Sequence, residues 1–305
     1  MAKGKVGVVG LGIMGGAFAQ NLVASGWRVV GYDIDPLRRR ALARAGVEIA
    51  PDAGTLAAAV PTIITSLPTP AALDATAKAI VAAGARPLVA VEASTFTIAD
   101  KVRAERTLRK AGHVMLDCPV SGTGAQAKTK DLAVYASGDG RAISKLRPLF
   151  AGFARVVHDL GAFGNGSRMK YVANLLVAIN NVASAEAMVL GLKAGLDAQI
   201  VFDMVTTGAG NSRVFELRGP MMVKGRYDDA SMKISVWQKD MAVIGAFARQ
   251  IGVPTPMFDA SVPIYNRAMR TGHASEDTAA VCAVLEAMAG VKRGKVKARS
   301  KRKVR

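Results

Sequence analysis

Short apolar segments alternate with helical periodicity through the first half of the chain. Strands are predicted at residues 5–10, 27–32, 61–67, 87–93, 113–118, 131–137 and 155–158. Helical patterns separate them, most clearly at residues 71–83, 98–111 and 140–150. This alternation predicts an α/β domain with a mainly parallel, doubly wound sheet, which binds ligands at the carboxyl ends of its strands.

The second half of the chain shows helical periodicity alone. Helices are predicted at residues 168–194, 198–207, 214–223, 232–251, 260–271 and 277–289. The first of them follows a glycine-rich loop and spans roughly 40 Å, about the width of a domain. We therefore predict an N-terminal α/β domain at residues 1–163 and an all-helical domain at residues 164–290, entered by this long helix.

Two polar residues of the long helix are candidates for chemistry. Lys170 and Asn174 lie one turn apart on the same face. A lone lysine on a helix is usually solvated, but this one lies at the predicted joint between two domains. Asn174 offers both a donor and an acceptor, which suits the orientation of a small ligand.

A glycine motif follows the first predicted strand. Gly10, Gly12 and Gly15 have the spacing Gly-x-Gly-x-x-Gly and precede a helix, a second strand and Asp33, which comes 18 residues after Gly15. The first glycine permits a tight turn, the second lets the backbone approach a pyrophosphate, and the third lets the helix pack against the strand. The order of these elements predicts a Rossmann dinucleotide-binding unit.

Asp33 favours NAD as the cofactor. A carboxylate at this position accepts hydrogen bonds from the adenosine ribose and repels the 2′-phosphate of NADP. Arg38, Arg39 and Arg40 are the alternative, because a cation near the ribose would accept that phosphate. Pro36 is expected to begin a helix, and we interpret the three arginines as its solvated face.

The charge of the chain is concentrated at its C-terminus. The net charge is +18, but residues 291–305 carry nine basic residues and no acidic one, which leaves +9 on residues 1–290. Such a segment cannot build a core. We predict a disordered tail at residues 291–305 that contacts nucleic acid nonspecifically, if at all, and whose removal after Gly290 leaves folding intact.

The remaining composition favours a cytoplasmic, globular protein. Half of the residues are hydrophobic, and no uninterrupted apolar segment of the sequence reaches the length of a membrane helix. Cys118 and Cys282 are the two cysteines, too few for a disulfide framework or a metal site. We expect no membrane partner and no metal.

Three charged residues on two predicted helices are interpreted from their positions around the helix axis. Lys101 is expected on the exposed face of the helix at residues 98–111. Asp240 lies on the apolar stripe of the helix at residues 232–251 and needs a partner if it is buried. Lys239 points about 100° away around that helix, so it is not the obvious partner.

With these motifs in order, the chain resembles the β-hydroxyacid dehydrogenases, among them 3-hydroxyisobutyrate dehydrogenase, tartronate semialdehyde reductase and 6-phosphogluconate dehydrogenase. The resemblance covers residues 5 to about 290. It is carried by Gly-Leu-Gly-Ile-Met-Gly at 10–15 with Asn21, by Asp-Cys-Pro-Val-Ser-Gly at 117–122, by Gly-Asn-Gly-Ser-Arg-Met-Lys-Tyr-Val-Ala-Asn at 164–174, and by Lys-Asp at 239–240.

The resemblance implies a role for each motif. Ser121, Gly122 and Thr123 hold the substrate carboxylate and hydroxyl, Lys170 is the general acid/base, and Asn174 is a substrate ligand. Lys239 and Asp240 shape the site across the domain cleft. The implied cofactor site consists of Gly10, Leu11, Gly12, Ile13, Met14, Gly15, Asp33, Leu67, Pro68, Ser94, Thr95, Lys239 and Asp240.

The implied function is an NAD(H)-dependent oxidoreductase that interconverts a small 3-hydroxyisobutyrate-like acid and its semialdehyde or keto form. The protein is expected to be a homodimer or homotetramer. Thr123, Gln126, Ala127 and Lys130 depart from the usual glycine-rich pattern after Gly122, which puts the substrate in question more than the reaction. The alternatives are a tartronate semialdehyde or glyoxylate reductase, a 6-phosphogluconate-type decarboxylase, and a non-catalytic dehydrogenase-like protein that associates with nucleic acid.

Overall fold

A computed structural model describes residues 3–293 of the chain. They form two compact units. The first unit runs to Asn174 and also includes Ala242–Val253, and the second comprises Leu175–Met241 and resumes at Pro254. The predicted nucleic-acid contact falls mainly on residues 294–305, which lie outside the described residues.

A six-stranded parallel sheet forms the centre of the first unit, with the strand order β3-β2-β1-β4-β5-β6. The strand order reverses between β1 and β4, where an open α/β sheet binds its ligand. The strands are β1 (Lys5–Val9), β2 (Arg28–Tyr32), β3 (Glu48–Ile49), β4 (Thr62–Thr65), β5 (Val89–Glu92) and β6 (Val114–Asp117). The predicted parallel α/β fold is confirmed.

The last predicted strands form a separate sheet. Strands β7 (Val120–Ser121), β8 (Ala133–Ala136) and β9 (Val156–Asp159) pair in that order, with β7 antiparallel to β8. The expectation that the strands at 131–137 and 155–158 simply extend the main alternation is therefore wrong. The physical reason is the short reversal between β7 and β8, which is too short for the crossover that a parallel connection needs.

Both faces of the main sheet are covered. Val8 and Ile64 belong to one apolar cluster, while their neighbours Val9 and Ile63 belong to another. Successive side chains of a strand point to opposite faces, so the two clusters lie on opposite sides of the sheet. The helices up to residue 150 are α1 (Ile13–Ala24), α2 (Pro36–Arg44), α3 (Ala53–Ala59), α4 (Pro70–Ala82), α5 (Ile98–Lys110), α6 (Gly124–Lys128) and α7 (Gly140–Phe150).

The long predicted helix is α8 (Asn165–Lys193), which begins in the first unit and continues into the second. Its length and composition alone would allow it to cross a membrane. However, Ala178, Val182, Ala185 and Val189 are buried at alternating intervals of four and three residues. This periodicity is typical of a helix that packs in a protein core, and α8 is a core helix.

The second unit is helical, as predicted. Asn181 on α8 is fully buried and donates to the Tyr265 hydroxyl at 2.9 Å and to the Thr278 carbonyl at 2.8 Å, which gives it a packing role. Besides α8, the helices are α9 (Ala198–Thr206), α10 (Arg213–Lys224), α11 (Ile234–Gln250, whose last turns belong to the first unit), α12 (Pro256–Arg270) and α13 (Val281–Ala289), with a 3₁₀ turn at Thr278–Ala280.

Arg293 lies inside the segment expected to be a solvated tail, yet it contacts the second unit. Its guanidinium donates to the Val223 carbonyl at 2.7 Å, to the Met222 carbonyl, and to Glu286 Oε1 at 3.0 Å. These bonds satisfy carbonyls at the end of α10 that have no partner within the helix. Removal of the chain after Gly290 would delete these bonds, so we expect it to lower the stability of the second unit, in contrast to the expectation from sequence.

Candidate active site

The turn between β1 and α1 requires glycine at two positions. Gly10 has a φ of 89°, and a Cβ there would lie 2.2 Å from the Ser66 carbonyl oxygen. A Cβ on Gly15 would lie 1.9 Å from the Gly10 carbonyl oxygen. Side chains at these positions would therefore separate α1 from the sheet and open the turn.

The N-terminus of α1 is suited to bind an anion. Gly12 is the N-cap residue, and among the described residues no side chain caps the helix. The first N–H groups of a helix carry a partial positive charge and bind phosphate groups. Leu11, Ile13 and Met14 complete the turn, with Leu11 buried and Ile13 exposed. The residues present therefore fit a dinucleotide pyrophosphate.

Asp33 is held in place by the glycine turn. Its side chain is 5% exposed, Oδ2 accepts from the Leu11 N–H at 2.7 Å, and Oδ1 accepts from the Asp35 N–H at 2.8 Å. The carboxylate at the end of β2 is thus fixed beside the anion-binding turn. An acid at the end of the second strand is where a Rossmann unit places the residue that binds the adenosine ribose.

Arg38 is exposed, as the interpretation from sequence expected, but its guanidinium also contacts two carboxylates. Its Nη1 lies 3.4 Å from Asp33 Oδ2 and its Nε lies 3.4 Å from Asp35 Oδ2. The same Nη1 would lie 3.4 Å from a Cβ on Gly12. The first turn of α2 directs this side chain back toward the acidic end of β2, which periodicity alone does not indicate.

The loops after β4 and β5 are tied together by one serine. Ser94 is buried, its Oγ accepts from the Leu67 N–H at 2.8 Å, and its own N–H donates to Glu92 Oε1 at 2.9 Å. Pro68, which is exposed, and Thr95, which is partly buried, follow Leu67 and Ser94 in these loops. The four loop residues that were assigned to the cofactor from sequence therefore lie at the carboxyl edge of adjacent strands.

Ser121 is the last residue of β7, and Gly122 and Thr123 follow it in the loop; all three are partly exposed. Thr123 caps α6: the Gln126 N–H donates to its Oγ1 at 3.4 Å, and its own N–H donates to Gln126 Oε1 at 3.0 Å. Gln126 Nε2 in turn donates to Asp131 Oδ2 at 3.0 Å. The hydroxyl and N–H of Thr123 are thus engaged within the loop.

A buried charge cluster lies beneath these loops. Lys101 is fully buried, with Nζ 2.6 Å from Glu92 Oε2 and 2.7 Å from Asp117 Oδ1. Its expected exposure is therefore wrong, because it projects from α5 between the ends of β5 and β6. Burial by itself lowers the pKa of Lys101, but the charges of Asp117 and Glu92 outweigh it and raise the pKa above its usual value.

Asp117 also binds the first turn of α8. The Ser167 N–H donates to Asp117 Oδ2 at 2.8 Å, and the Ser167 hydroxyl donates to Oδ1 at 2.8 Å. The Ser137 hydroxyl donates to the Asp117 carbonyl at 3.2 Å and accepts from the Gly166 N–H at 2.9 Å. The start of α8 is thus attached to the carboxyl end of β6.

Lys170 and Asn174 follow on the next two turns of α8. Lys170 is partly buried and Asn174 is 5% exposed. Between them, the hydroxyl of Tyr171 donates to the Phe96 carbonyl at 2.5 Å. Burial is the main cause that raises the pKa of Tyr171 to about 12, so its hydroxyl keeps its proton at neutral pH. An amine and an amide are thereby placed on a helix fixed at two points to the dinucleotide-binding fold.

Comparison with known proteins gives the same assignment for nearly the whole chain. Residues 5–161 match the model for the NAD-binding domain of 6-phosphogluconate dehydrogenase. Residues 164–285 match the model for the NAD-binding region of NADP-dependent 3-hydroxyisobutyrate dehydrogenase. The chain belongs to the β-hydroxyacid dehydrogenase family. It is an NAD(P)-dependent dehydrogenase that acts on CH–OH donors, and the resemblance stated from its motifs is confirmed.

Individual relatives lie at moderate sequence distance. An L-threonate dehydrogenase of Cupriavidus necator is 33% identical over 280 residues, covering 90% of this chain and 94% of the relative. A probable 3-hydroxyisobutyrate dehydrogenase of Mycobacterium bovis is 29% identical over 290 residues, covering 93% of this chain and 98% of the relative. The solved structure of a 3-hydroxyisobutyrate dehydrogenase from Salmonella typhimurium has a TM-score of 0.83 at 28% identity, covering 92% of this chain and 100% of that one.

Lys239 and Asp240 of this dehydrogenase form an ion pair in the second unit. Lys239 Nζ lies 3.0 Å from Asp240 Oδ1, and the Asp240 side chain is almost buried. The expectation that Lys239 points away from its neighbour is wrong, because the long lysine side chain spans the angle between adjacent helical positions. Asp240 is 6% exposed, so the partner that it would need if buried is supplied by Lys239.

The buried cluster of this dehydrogenase was not predicted from the sequence, although a signal for Lys101 was present. Lys101, Ala104 and Leu108 are the three buried residues of α5 and recur at helical spacing. The lysine therefore lies on the apolar stripe of its helix. Asp117 and Ser167 occur within motifs that carried the resemblance, but neither had been given a role.

Proposed function

We propose that this family member interconverts a four-carbon hydroxyacid and its oxo form, with Lys170 as the general acid/base. The observation that supports this most is the placement of Lys170 and Asn174 on consecutive turns of α8, whose start is bound by Asp117 at the carboxyl end of β6. A proton-transfer residue must be held within reach of the reacting hydroxyl, and a helix fixed to the sheet provides such a support.

The proposed roles follow from the functional groups. In the oxidative direction the neutral amine of Lys170 removes the hydroxyl proton, and in the reductive direction its ammonium returns one. Asn174 orients the substrate through its amide. Ser121 and Gly122 contact the substrate carboxylate, while Thr123 shapes the loop through Gln126. Bound NAD(P) supplies the hydride acceptor.

We propose a polyhydroxylated acid of the L-threonate type as the first substrate to test and 3-hydroxyisobutyrate as the second. Five L-threonate dehydrogenases from bacteria are 31% to 33% identical to this chain. The hydrogen-bonded Thr123 and Gln126 also make the loop after β7 polar. The Thr123 hydroxyl keeps a second lone pair beside the one that accepts from the Gln126 N–H, so it can accept from an additional substrate hydroxyl, which a methyl branch does not offer. The predicted homodimer or homotetramer stays a prediction.

A substrate panel tests this proposal. The purified enzyme is assayed with L-threonate, 3-hydroxyisobutyrate and glycerate in the oxidative direction, and with tartronate semialdehyde and glyoxylate in the reductive direction. We expect L-threonate to give a kcat/KM at least about tenfold higher than 3-hydroxyisobutyrate, or about 1.4 kcal/mol of discrimination. A preference for the methyl-branched acid would reject the polar-loop argument. No turnover of any hydroxyacid would reject the proposed substrate class.

The same assays with both cofactors test the role of Asp33. We expect a kcat/KM for NAD at least about tenfold above that for NADP. The carboxylates of Asp33 and Asp35 both lie near the single guanidinium of Arg38, so negative charge is in excess there and repels the 2′-phosphate of NADP. Asp33→Ala should reduce the ratio of kcat/KM for NAD to kcat/KM for NADP. Arg38→Ala should lower kcat/KM for NADP more than kcat/KM for NAD. Arg40→Ala on the exposed part of α2 is the control. A wild-type preference for NADP would mean that Arg38 leaves its carboxylates for the ribose phosphate.

A further inference from the structure

Three fully buried charged residues and one buried serine surround the start of the helix that carries Lys170. Glu92, Lys101, Asp117 and Ser167, here called the anchor cluster, have exposed fractions of 0%, 0%, 0% and 1%. They come from β5, α5, the end of β6 and the first turn of α8, respectively. In the cluster two carboxylates face one ammonium, so a net negative charge lies at the N-terminus of α8.

We propose that Asp117 and Ser167, supported by Lys101 and Glu92, are positioning residues that set the placement of Lys170 for proton transfer. This inference rests on the proposed function of Lys170. The cluster does not touch the reacting atoms in this proposal. It acts through the first turn of α8, so its effect is expected in turnover and not in cofactor affinity.

The contact between Asp117 and Ser167 fixes the helix in two directions. The two carboxylate oxygens accept from the backbone N–H and the hydroxyl of the same residue, each at 2.8 Å. Two parallel charge-assisted bonds define an orientation as well as a position. Lys170 is three residues further on, about 4.5 Å along the axis and on the same face. A rotation of the first turn therefore displaces the Lys170 side chain directly.

Close backbone packing leaves the first turn no room to shift toward the sheet. A Cβ on Gly166 would lie 2.3 Å from the Tyr135 carbonyl oxygen and 2.6 Å from the Asp117 carbonyl oxygen. On the far side of Lys170, Tyr171 is bonded to the Phe96 carbonyl at 2.5 Å. The turn with Lys170 is thus held between two attachment points, Ser167 and Tyr171.

The charges of the cluster suit a fixed support and not a proton relay. The two carboxylates raise the pKa of Lys101 above its usual value, so the ammonium stays charged throughout the working range. A negative charge beside the first N–H groups of a helix is favourable, so the carboxylate of Asp117 suits the N-terminus of α8. A buried ion pair adds little net stability compared with apolar residues of the same size. The benefit that the contacts of the cluster support best is a fixed orientation of the first turn of α8.

Ser167→Ala is the variant that tests the proposal with least disturbance. It removes the hydroxyl bond to Asp117 Oδ1 and the hydroxyl contact with Tyr171, and it leaves the backbone bond to Oδ2. We expect kcat to fall about tenfold, with the KM for substrate and the Kd for NADH from fluorescence titration changed less than about twofold. Ser184→Ala is the matched control, because Ser184 lies on the same helix, is nearly buried and donates one bond, to the Asn180 carbonyl. Ser184→Ala should keep its kcat, and kcat of both variants is measured well below their Tm, so that any difference in stability does not enter the comparison.

A double-mutant cycle with Lys170→Ala distinguishes positioning from general destabilisation. If Ser167 acts through Lys170, adding Ser167→Ala to Lys170→Ala should change the residual kcat less than about twofold. A further tenfold loss in that background, or an unchanged kcat in Ser167→Ala alone, would overturn the positioning role while leaving Lys170 catalytic. If Lys170→Ala itself keeps more than a tenth of wild-type turnover, the proposed function of Lys170 fails, and the positioning role fails with it.

Discussion

Replacement of Lys170 by alanine is expected to lower kcat at least about 100-fold, the usual contribution of a general acid/base. The affinity for NADH should change less than about twofold, because the glycine turn and Asp33 that are proposed to hold the cofactor lie on other elements. Steady-state kinetics at saturating substrate, together with fluorescence titration of NADH, separates the two effects.

Lys193→Ala serves as the control for this prediction. Lys193 is on the same helix but is exposed and bonded to the Ala289 carbonyl at 2.9 Å. Its removal deletes an equal charge and should leave kcat within about twofold. Asn174→Ala should mainly raise KM, as expected for a residue that orients substrate. A Lys170→Ala enzyme with more than a tenth of normal turnover would remove Lys170 from the mechanism.

Lys101→Met is expected to lower the free energy of unfolding by about 3 to 5 kcal/mol. The substitution preserves most of the side-chain volume but leaves the carboxylates of Glu92 and Asp117 buried without their cation. Urea unfolding followed by circular dichroism at neutral pH measures the change. Arg106→Met, on the exposed face of the same helix, should stay within about 0.5 kcal/mol of wild type.

A second substitution shows whether the loss comes from charge. Adding Glu92→Gln to Lys101→Met removes one of the two uncompensated carboxylates, so part of the lost stability should return. If Lys101→Met lowers the free energy of unfolding by less than about 1 kcal/mol, water or other groups must replace the ammonium as the partner of the two carboxylates. An equal free energy of unfolding for Lys101→Met and Arg106→Met would show that burial of Lys101 has no energetic role.

The parts of the molecule that were predictable depend on contacts close in sequence. The turn from Gly10 to Gly15, the strand that ends at Asp33 and the spacing of Lys170 and Asn174 all lie within single elements or adjacent ones. Each has a local physical cause, such as a positive φ, a helix N-terminus or a helical repeat. The sequence therefore predicted the α/β fold and the candidate catalytic pair.

The parts that were not predictable depend on partners distant in sequence. Lys101 is charged, and the sequence does not show that Asp117 lies within 2.7 Å of it. Arg38 was interpreted from its own helix, whereas the acids that bind it end a strand and cap the helix. Lys239 was interpreted from its angle around α11, although its side chain is long enough to reach Asp240. In each case burial or pairing overrides what the residue type favours in isolation.

The first unit is discontinuous in the chain, and this has a consequence for biosynthesis. Ala242–Val253 belongs to the same unit as the glycine turn and the start of α8, and within it Phe247 packs on Tyr171 with ring centroids 5.1 Å apart. Translation must pass residue 253 before the first unit has all of its parts. A nascent chain paused soon after Asn174 would hold the candidate catalytic pair with one side of Tyr171 still uncovered. We therefore expect the order of synthesis to make the helix with Lys170 one of the last parts of its unit to become rigid on the ribosome.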